Sequence, residues 1–290
     1  MKIKTLYLAA ILSVCLTACS KEEEQDTGRL LVNISGSYSN SDSEQYKTFR
    51  FDLTYDELGR IASMTYTGDL YIYGEGFIRA EYTYTVDRNG TVPEVTLETE
   101  NALYQLLSGW EAYEGIPQRE TLPLTFDDDG YIVSITGRDL WFHVENTTLE
   151  YDGGGYLTAI REDDGAYYKT AVRQEWTDGN LVSQTHQTLN DLGEVVYGTA
   201  RQFAGSALAN DYAIDLNWLI GDLGLNRQNG LAMLGAVDLC GNRSPYLIGS
   251  TTEDDGAEWP VAYTLNENNT IRTATVDVAG SVFTYRFGYE

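Results

Sequence analysis

Hydrophobic and polar positions alternate along much of this 290-residue chain. In Phe51-Asp52-Leu53-Thr54-Tyr55 and Tyr82-Thr83-Tyr84-Thr85-Val86 every second residue is apolar or aromatic, the period of a strand with one face buried. Phe283, Tyr285, Phe287 and Tyr289 likewise share one face of a final strand, with Thr284, Arg286 and Gly288 opposite. The expected fold is mostly β: an antiparallel sheet of successive hairpins, curved or open-barrel-like, with one or two short helices. Two interruptions are the candidates for those helices. Asn101 to Leu107, NALYQLL, has apolar residues at helix-compatible spacing before Gly109. Leu208 to Leu223 reads both ways, because Tyr212, Ile214, Leu216 and Trp218 alternate as in a strand while Leu216, Leu219 and Ile220 fit a helical face. A short helix or irregular element covering an open side of the sheet is expected there. Gly221 to Gly230 and Gly249 to Gly256 read as loops.

One small device recurs between the alternating runs. Tyr55-Asp56-Glu57-Leu58-Gly59-Arg60-Ile61 has an apolar residue, an Asp, a Gly three positions on, and an apolar residue two further. The spacing returns in Val86 to Val92, Phe126 to Ile132 and Tyr151 to Leu157. Leu189 to Val195 and Leu265 to Ile271 keep it with Asn substitutions, and Trp176 to Leu181 is one residue shorter. An Asp or Asn opening a type I turn accepts a hydrogen bond from an N–H two residues on, and Gly or Asn suits the left-handed position that closes it. Each copy therefore predicts a hairpin with a bulged turn.

These turns resemble YD-type repeats of the RHS kind in YDELGRIASMTY and YDGGGYLTAI, although the turn-opening apolar residues fall irregularly, at 55, 86, 126, 151, 176, 189 and 265. That irregularity keeps the encapsulating role of RHS shells from being carried over. The chain is more closely similar to an uncharacterised family of Bacteroides-type surface lipoproteins. That family joins a lipid-attachment signal, YD-like hairpins and a C-terminal segment resembling Leu216 to Ile220, Leu234-Gly235 and Gly241 to Ser244. The resemblance covers most of residues 30–290 and implies fold and location, with no assigned activity to transfer.

The opening of the chain bears on location. Lys2 and Lys4, the apolar run Thr5 to Leu16 and the small pair Thr17-Ala18 form a signal-peptide pattern over residues 1–18. The run is shorter than the roughly 20 apolar residues of a bilayer span. Leu16-Thr17-Ala18-Cys19 resembles a bacterial lipobox, which implies lipidation of Cys19 and a membrane partner held through acyl chains; an ordinary secretory signal is the alternative. Residues 19–29 are then a polar tether. Ser20, Lys21, Glu22, Glu23 and Glu24 resemble the export signal of Bacteroides-type surface lipoproteins, which implies an outer-membrane anchor facing the extracellular side; a plain spacer facing the periplasm is the alternative. Residues 30–290 are the β-hairpin domain, with 205–290 as a candidate distinct C-terminal part.

Charge narrows the partners. The chain has 19 basic and 44 acidic residues, a net charge of −25, and removal of residues 1–18 takes two lysines to leave −27. Nucleic acid is not expected, since phosphate binding needs a basic footprint. With Cys15 in the signal and Cys19 lipidated, Cys240 has no partner for a disulfide and is expected in the core.

Catalytic patterns are sparse. His143 and His186 are the only histidines, and neither sits in a nucleophile or zinc pattern. No cofactor and no enzymatic activity are expected. The alternative is a glycan-processing hydrolase, which needs only two carboxylates at the right separation. Asp127-Asp128-Asp129, Asp163-Asp164 and Glu253-Asp254-Asp255 are oxygen-rich enough for calcium, but each lies beside a Gly and reads as a turn. The 22 tyrosines and five tryptophans, with runs such as Leu70-Tyr71-Ile72-Tyr73 and Trp110-Glu111-Ala112-Tyr113, suit either sheet packing or stacking on sugars. The expected role is a non-catalytic binding or assembly component of the outer membrane or cell surface, with a carbohydrate or an envelope protein as partner. A lipid-facing barrel is not expected, because the strands are rich in Asp and Glu.

Overall fold

The alternating segments are strands. The computed structural model of the protein describes residues 30–40, 43–72, 76–106, 109–112, 118–136, 146–163, 169–190, 192–220, 234–278 and 281–290. Along them run β1 (Leu31–Asn40), β2 (Ser43–Tyr55), β3 (Ile61–Ile72), β4 (Gly76–Asp87), β5 (Glu94–Leu106), β6 (Gly109–Ala112), β7 (Arg119–Thr121), β8 (Leu124–Phe126) and β9 (Ile132–Thr136). Then follow β10 (Asn146–Tyr151), β11 (Leu157–Asp163), β12 (Lys169–Thr177), β13 (Asn180–Leu189), β14 (Val195–Ala209), the helix α1 (Leu216–Ile220), β15 (Tyr246–Glu253), β16 (Glu258–Leu265), β17 (Ile271–Val278) and β18 (Ser281–Tyr289). Residues 234–236 are also helical.

Strands that follow one another pair antiparallel, and β18 returns to pair with β1 from Ile34↔Phe287 to Asn40↔Ser281. The sheet therefore curls back on itself. Its seam lies where one returning segment changes partner: β6 and β7 pair with β5, whereas β8 pairs with β9. Across the seam the Leu122 N–H donates to the Val95 carbonyl (2.8 Å) and the Thr136 N–H to the Pro123 carbonyl (3.2 Å). The result is an antiparallel, open-barrel-like sheet with a single inward apolar core that includes Ile34, Met64, Tyr82, Ile132, Leu157 and Val276. Most described outward positions alternate with these and are polar, with Val195, Val196 and Tyr197 on β14 as exposed apolar exceptions. Thr85, Asp87, Thr148, Glu150, Arg173 and Glu175 are exposed, and ion pairs such as Arg161–Glu150 (3.0 Å) and Lys169–Asp163 (3.1 Å) lie at exposed positions. Such exposed pairs add little stability; they mark the water-facing side.

The turn chemistry is as expected at most copies of the device. Asp56 Oδ1 accepts the N–H groups of Leu58 and Arg60, both at 2.9 Å, and Gly59 has φ +73°. Asp127, Asp152 and Asn190 act in the same way, closed by Gly130, Gly155 and Gly193. A register shift follows the turn and brings the next apolar residue inward; Ile61, Ile132, Leu157 and Ile271 are all at most 1% exposed.

The aromatic residues at the strand ends have their own reason. Tyr151 Oη donates to the Ile132 carbonyl (2.6 Å), Trp176 Nε1 to the Leu157 carbonyl (2.6 Å) and Tyr289 Oη to the Ile271 carbonyl (2.9 Å). Tyr55 Oη reaches the Leu31 carbonyl similarly. Each ring packs against the core while its donor satisfies a carbonyl at the strand start one hairpin away, where a bulge disturbs the ladder.

Several expectations are corrected. Asn101 to Leu106 belongs to β5 rather than a helix, and Leu107 lies outside the described residues. Pairing overrides the local pattern, since Leu103 lies opposite Arg79 on one side and Ala112 on the other. Asn101 takes φ +54° beside a register shift, which absorbs the irregularity. Val86 to Val92 is a longer connection. Pro93, which has no N–H to give, delays β5, so Val95 (1% exposed) takes the core place and Val92 is half exposed. Of Gly249 to Gly256, positions up to Glu253 are strand β15. The ambiguous run resolves into the end of β14 at Ala209 and α1 at Leu216–Ile220. Gly221 to Gly230 lies outside the described residues.

Candidate functional site

In an up-and-down sheet alternate connections share an end. The turns at Asp56, Asp127, Asp152, Asp178 and Asn266 therefore lie together, and so do the described parts, 210–220 and 234–245, of the connection between β14 and β15. That connection is tied to the turns around it. The Leu239 carbonyl accepts the Ile132 N–H (2.8 Å), Asn242 donates its N–H to the Gly155 carbonyl (2.8 Å) and its Nδ2 to the Gly154 carbonyl (2.7 Å). Tyr131 Oη donates to Asn242 Oδ1 (2.8 Å), and Ser244 Oγ accepts the Leu181 N–H (3.1 Å). Arg88 Nη2 reaches the Val237 carbonyl (3.2 Å) and Tyr285 Oη the Leu219 carbonyl (3.1 Å). One segment thus bonds to hairpins spread round the sheet and fills this end with Ile214, Leu216, Ile220, Leu234, Ala236 and Leu239, all buried. Gly235 is required because a Cβ there would lie 2.2 Å from the Trp218 ring.

Between the described parts of this segment and the inner face of β11 to β15 lies an open-mouthed cavity of about 60 Å³. Trp176, Trp218, Phe203 and Leu157 supply apolar lining, and Gln174, Gln184, Asn217, Asn242, Ser244 and Asp215 supply polar groups. This is the usual composition of a small-molecule site: apolar walls with a few placed polar groups.

Two features set its electrostatics. Asp215 is 3% exposed and caps α1, its Oδ1 accepting the Asn217 N–H (3.0 Å) and Asn210 Nδ2 (2.7 Å). Burial raises its pKa to about 6, against the lowering influence of the Asn210 bond and the Arg243 charge. The second feature is a cross-strand row. Gln174 on β12 lies opposite Gln184 on β13, Gln184 opposite Arg201 on β14, and Arg201 opposite Glu253 on β15. Arg201 Nε meets Glu253 Oε1 at 2.6 Å with both side chains less than a fifth exposed. Gln174 Oε1, Arg201 Nη1 and Glu253 Oε1 are buried without an aligned hydrogen bond, Glu253 Oε1 being held to Arg201 by charge at contact distance. A buried polar atom left unpaired is costly, so the row calls for water or a ligand.

The residues singled out in the sequence are placed elsewhere. Cys19 and Ser20 to Glu24 lie outside the described residues, as do His143 and the side chains of Tyr71, Tyr73, Trp110 and Tyr113. His186 is half-buried on β13. Cys240 is buried in the core, lines the cavity, and has its thiol pKa pushed up by burial. The acidic clusters are engaged locally. Asp127 holds its turn, Asp163 pairs with Lys169, Asp254 Oδ2 accepts the Ala200 N–H (2.6 Å) and Asp255 Oδ1 the Ala257 N–H (2.9 Å). Asp164 lies outside the described residues. Asp215 is the one carboxylate among the described lining residues, and the two-carboxylate arrangement of a glycosidase needs a second facing it. The sequence carried one overlooked signal: the tight Asp178-Gly179 turn fixes the register that sets Gln174 against Gln184.

No described protein family matches the chain, and no curated protein matches it. Among solved structures it is similar to a porin-like protein from Bacteroides uniformis ATCC 8492, with a TM-score of 0.54 and 18% sequence identity. The match covers 90% of this chain and 96% of that one. At this identity the likeness establishes the fold.

Proposed function

We propose that this chain is a lipid-anchored component of the outer membrane or cell surface that binds a ligand without transforming it. The observation that carries the reading is the direction of the side chains: the sheet is similar in fold to the porin-like protein, yet most of its described outward positions are polar and its inward ones apolar. A membrane-spanning barrel presents the reverse, an apolar outer band flanked by aromatic girdles. Here Thr85, Asp87, Thr148, Glu150, Arg173, Glu175 and Arg286 face out. Among the described residues no helix is long and apolar enough to cross a bilayer. In this reading attachment is through Cys19 and the tether behind it. Two acyl chains give stable anchoring where one is marginal. The binding role rests on the cavity, whose described lining combines apolar walls, several amides and one carboxylate, Asp215.

Fractionation of cells producing the wild-type chain and Cys19→Ala tests the reading. The wild type is expected in the membrane fraction and the variant in the soluble one. A Cys19→Ala protein that resists alkaline carbonate extraction would mean that the barrel itself is embedded. Protease shaving of intact cells, with a periplasmic protein as leakage control, then reports which side of the outer membrane the wild type faces.

A further inference from the structure

We infer that the cavity between the 210–245 segment and strands β11 to β15 is a binding site for an uncharged, hydroxyl-rich ring, the chemistry of a neutral sugar. The inference rests on the binding reading above and names the ligand class.

Three observations converge. The first is unmet demand: Gln174 Oε1, on a residue that lines the cavity, is a buried acceptor without a protein partner. A hydroxyl group gives and accepts at once, so it can donate to this oxygen while accepting from a neighbouring amide. Gln184, opposite Gln174 in the cross-strand row, lines the cavity beside it. The second is charge. Arg201, in the same row, is neutralised by Glu253 at 2.6 Å, and among the described residues Asp215 has no cation at hydrogen-bond distance. The described lining residues therefore offer no positive charge to hold a carboxylate or phosphate, in a chain whose net charge is already −25. The third is shape. Trp176 and Trp218 offer flat apolar surface in the same cavity as the amides of Gln174, Gln184 and Asn242, and a sugar ring presents C–H groups on a face and hydroxyls on its edge. Trp176 is held by its bond to the Leu157 carbonyl and by Tyr156, whose ring centroid is 4.9 Å away. A fixed platform loses little freedom when it binds.

The experiment is a tryptophan-fluorescence titration of the full-length chain, purified in detergent, with glucose, galactose and N-acetylglucosamine. Glucuronate and glucosamine serve as charged counterparts. At least one neutral sugar is expected to saturate the signal with a Kd no weaker than about 1 mM, and glucuronate to bind at least about tenfold more weakly. Gln174→Leu combined with Gln184→Leu is expected to weaken binding about tenfold or more while the urea midpoint stays in place. If that pair fails to fold, Gln174→Met alone keeps the length of the side chain and removes the Oε1 acceptor, and a loss of binding in the same direction is expected. Absence of saturation by every neutral sugar up to about 50 mM, wild-type affinity in the variants, or tighter binding of glucosamine would each overturn the assignment. Fractionation of the same preparation reads the anchor separately, so a failed titration with normal anchoring removes the sugar and leaves the envelope placement standing.

Discussion

Gly155 and Gly193 close the same kind of turn, one at each end of the sheet, with φ of +76° and +78°. Around Gly155 the part of the closing segment at 240–244 presses close: Asn242 donates hydrogen bonds to the Gly154 and Gly155 carbonyls, and a Cβ on Gly155 would meet Asn242 Nδ2 at 3.0 Å. Around Gly193 nothing lies within 4 Å of the same atom, and neighbouring Leu192, Val195, Val196 and Tyr197 are exposed. Identical local chemistry thus serves two purposes. At one end the turns are docking points for a segment that closes the sheet and walls a cavity; at the other they only reverse the chain. Function is expected where the turns are used twice.

The largest effect that would break this contrast comes from Gly241→Ala. Gly241 has φ +91°, and a Cβ there would sit 2.7 Å from the Gly155 carbonyl oxygen and 2.8 Å from the Tyr151 ring. Left-handed strain and overlap with backbone together should cost about 3 kcal/mol in urea unfolding. A loss below about 1 kcal/mol would show that the segment is not held against the Gly155 turn.

Asp215 sharpens the same point through pH. Its folded pKa is raised to about 6, whereas the unfolded carboxyl titrates near 4. The folded chain keeps a proton that the unfolded chain has released, so this group's contribution to stability falls as pH rises from about 4 to about 6. Asp215→Asn retains a capping oxygen and removes the charge. The variant should match the wild type near pH 4 and gain on it by about 2 kcal/mol above pH 6. A constant offset at all pH values would mean that Asp215 is not a buried ionising group.

What the sequence revealed and what it withheld divide along the same line. The Asp–Gly turns were legible because each is made by residues within four positions, and the strands were legible from their period. Cys240 was legible as a core residue from its apolar neighbours. NALYQLL was misread because its fate depends on Ile78 to Arg79 and Glu111 to Ala112, partners that periodicity does not see. The cavity was out of reach for the same reason. Its lining spans Leu157 to Ile248, and the row from Gln174 to Glu253 exists only once four strands are in register.

A smaller effect tests the aromatic donors. Tyr151→Phe leaves the ring in place and strands the Ile132 carbonyl, now bonded at 2.6 Å. The expected loss is about 1 to 2 kcal/mol, with Trp176→Phe similar through the Leu157 carbonyl. Near-neutral results for both would reduce these rings to packing groups.

The smallest effect is the most direct comparison of the two ends. Gly193→Ala adds a methyl group to open space, so only the left-handed backbone is penalised, by about 1 kcal/mol. Gly155→Ala carries the same penalty and also forces Asn242 and Tyr131, at 3.0 and 3.2 Å, to give way. Its cost should therefore exceed that of Gly193→Ala by about a further 1 kcal/mol. Because φ is nearly equal at the two sites, subtracting one loss from the other removes the backbone contribution and leaves the packing of the closing segment. Equal losses would mean that Asn242 moves aside freely, and a cavity walled by so loose a segment would not hold its polar groups in fixed places.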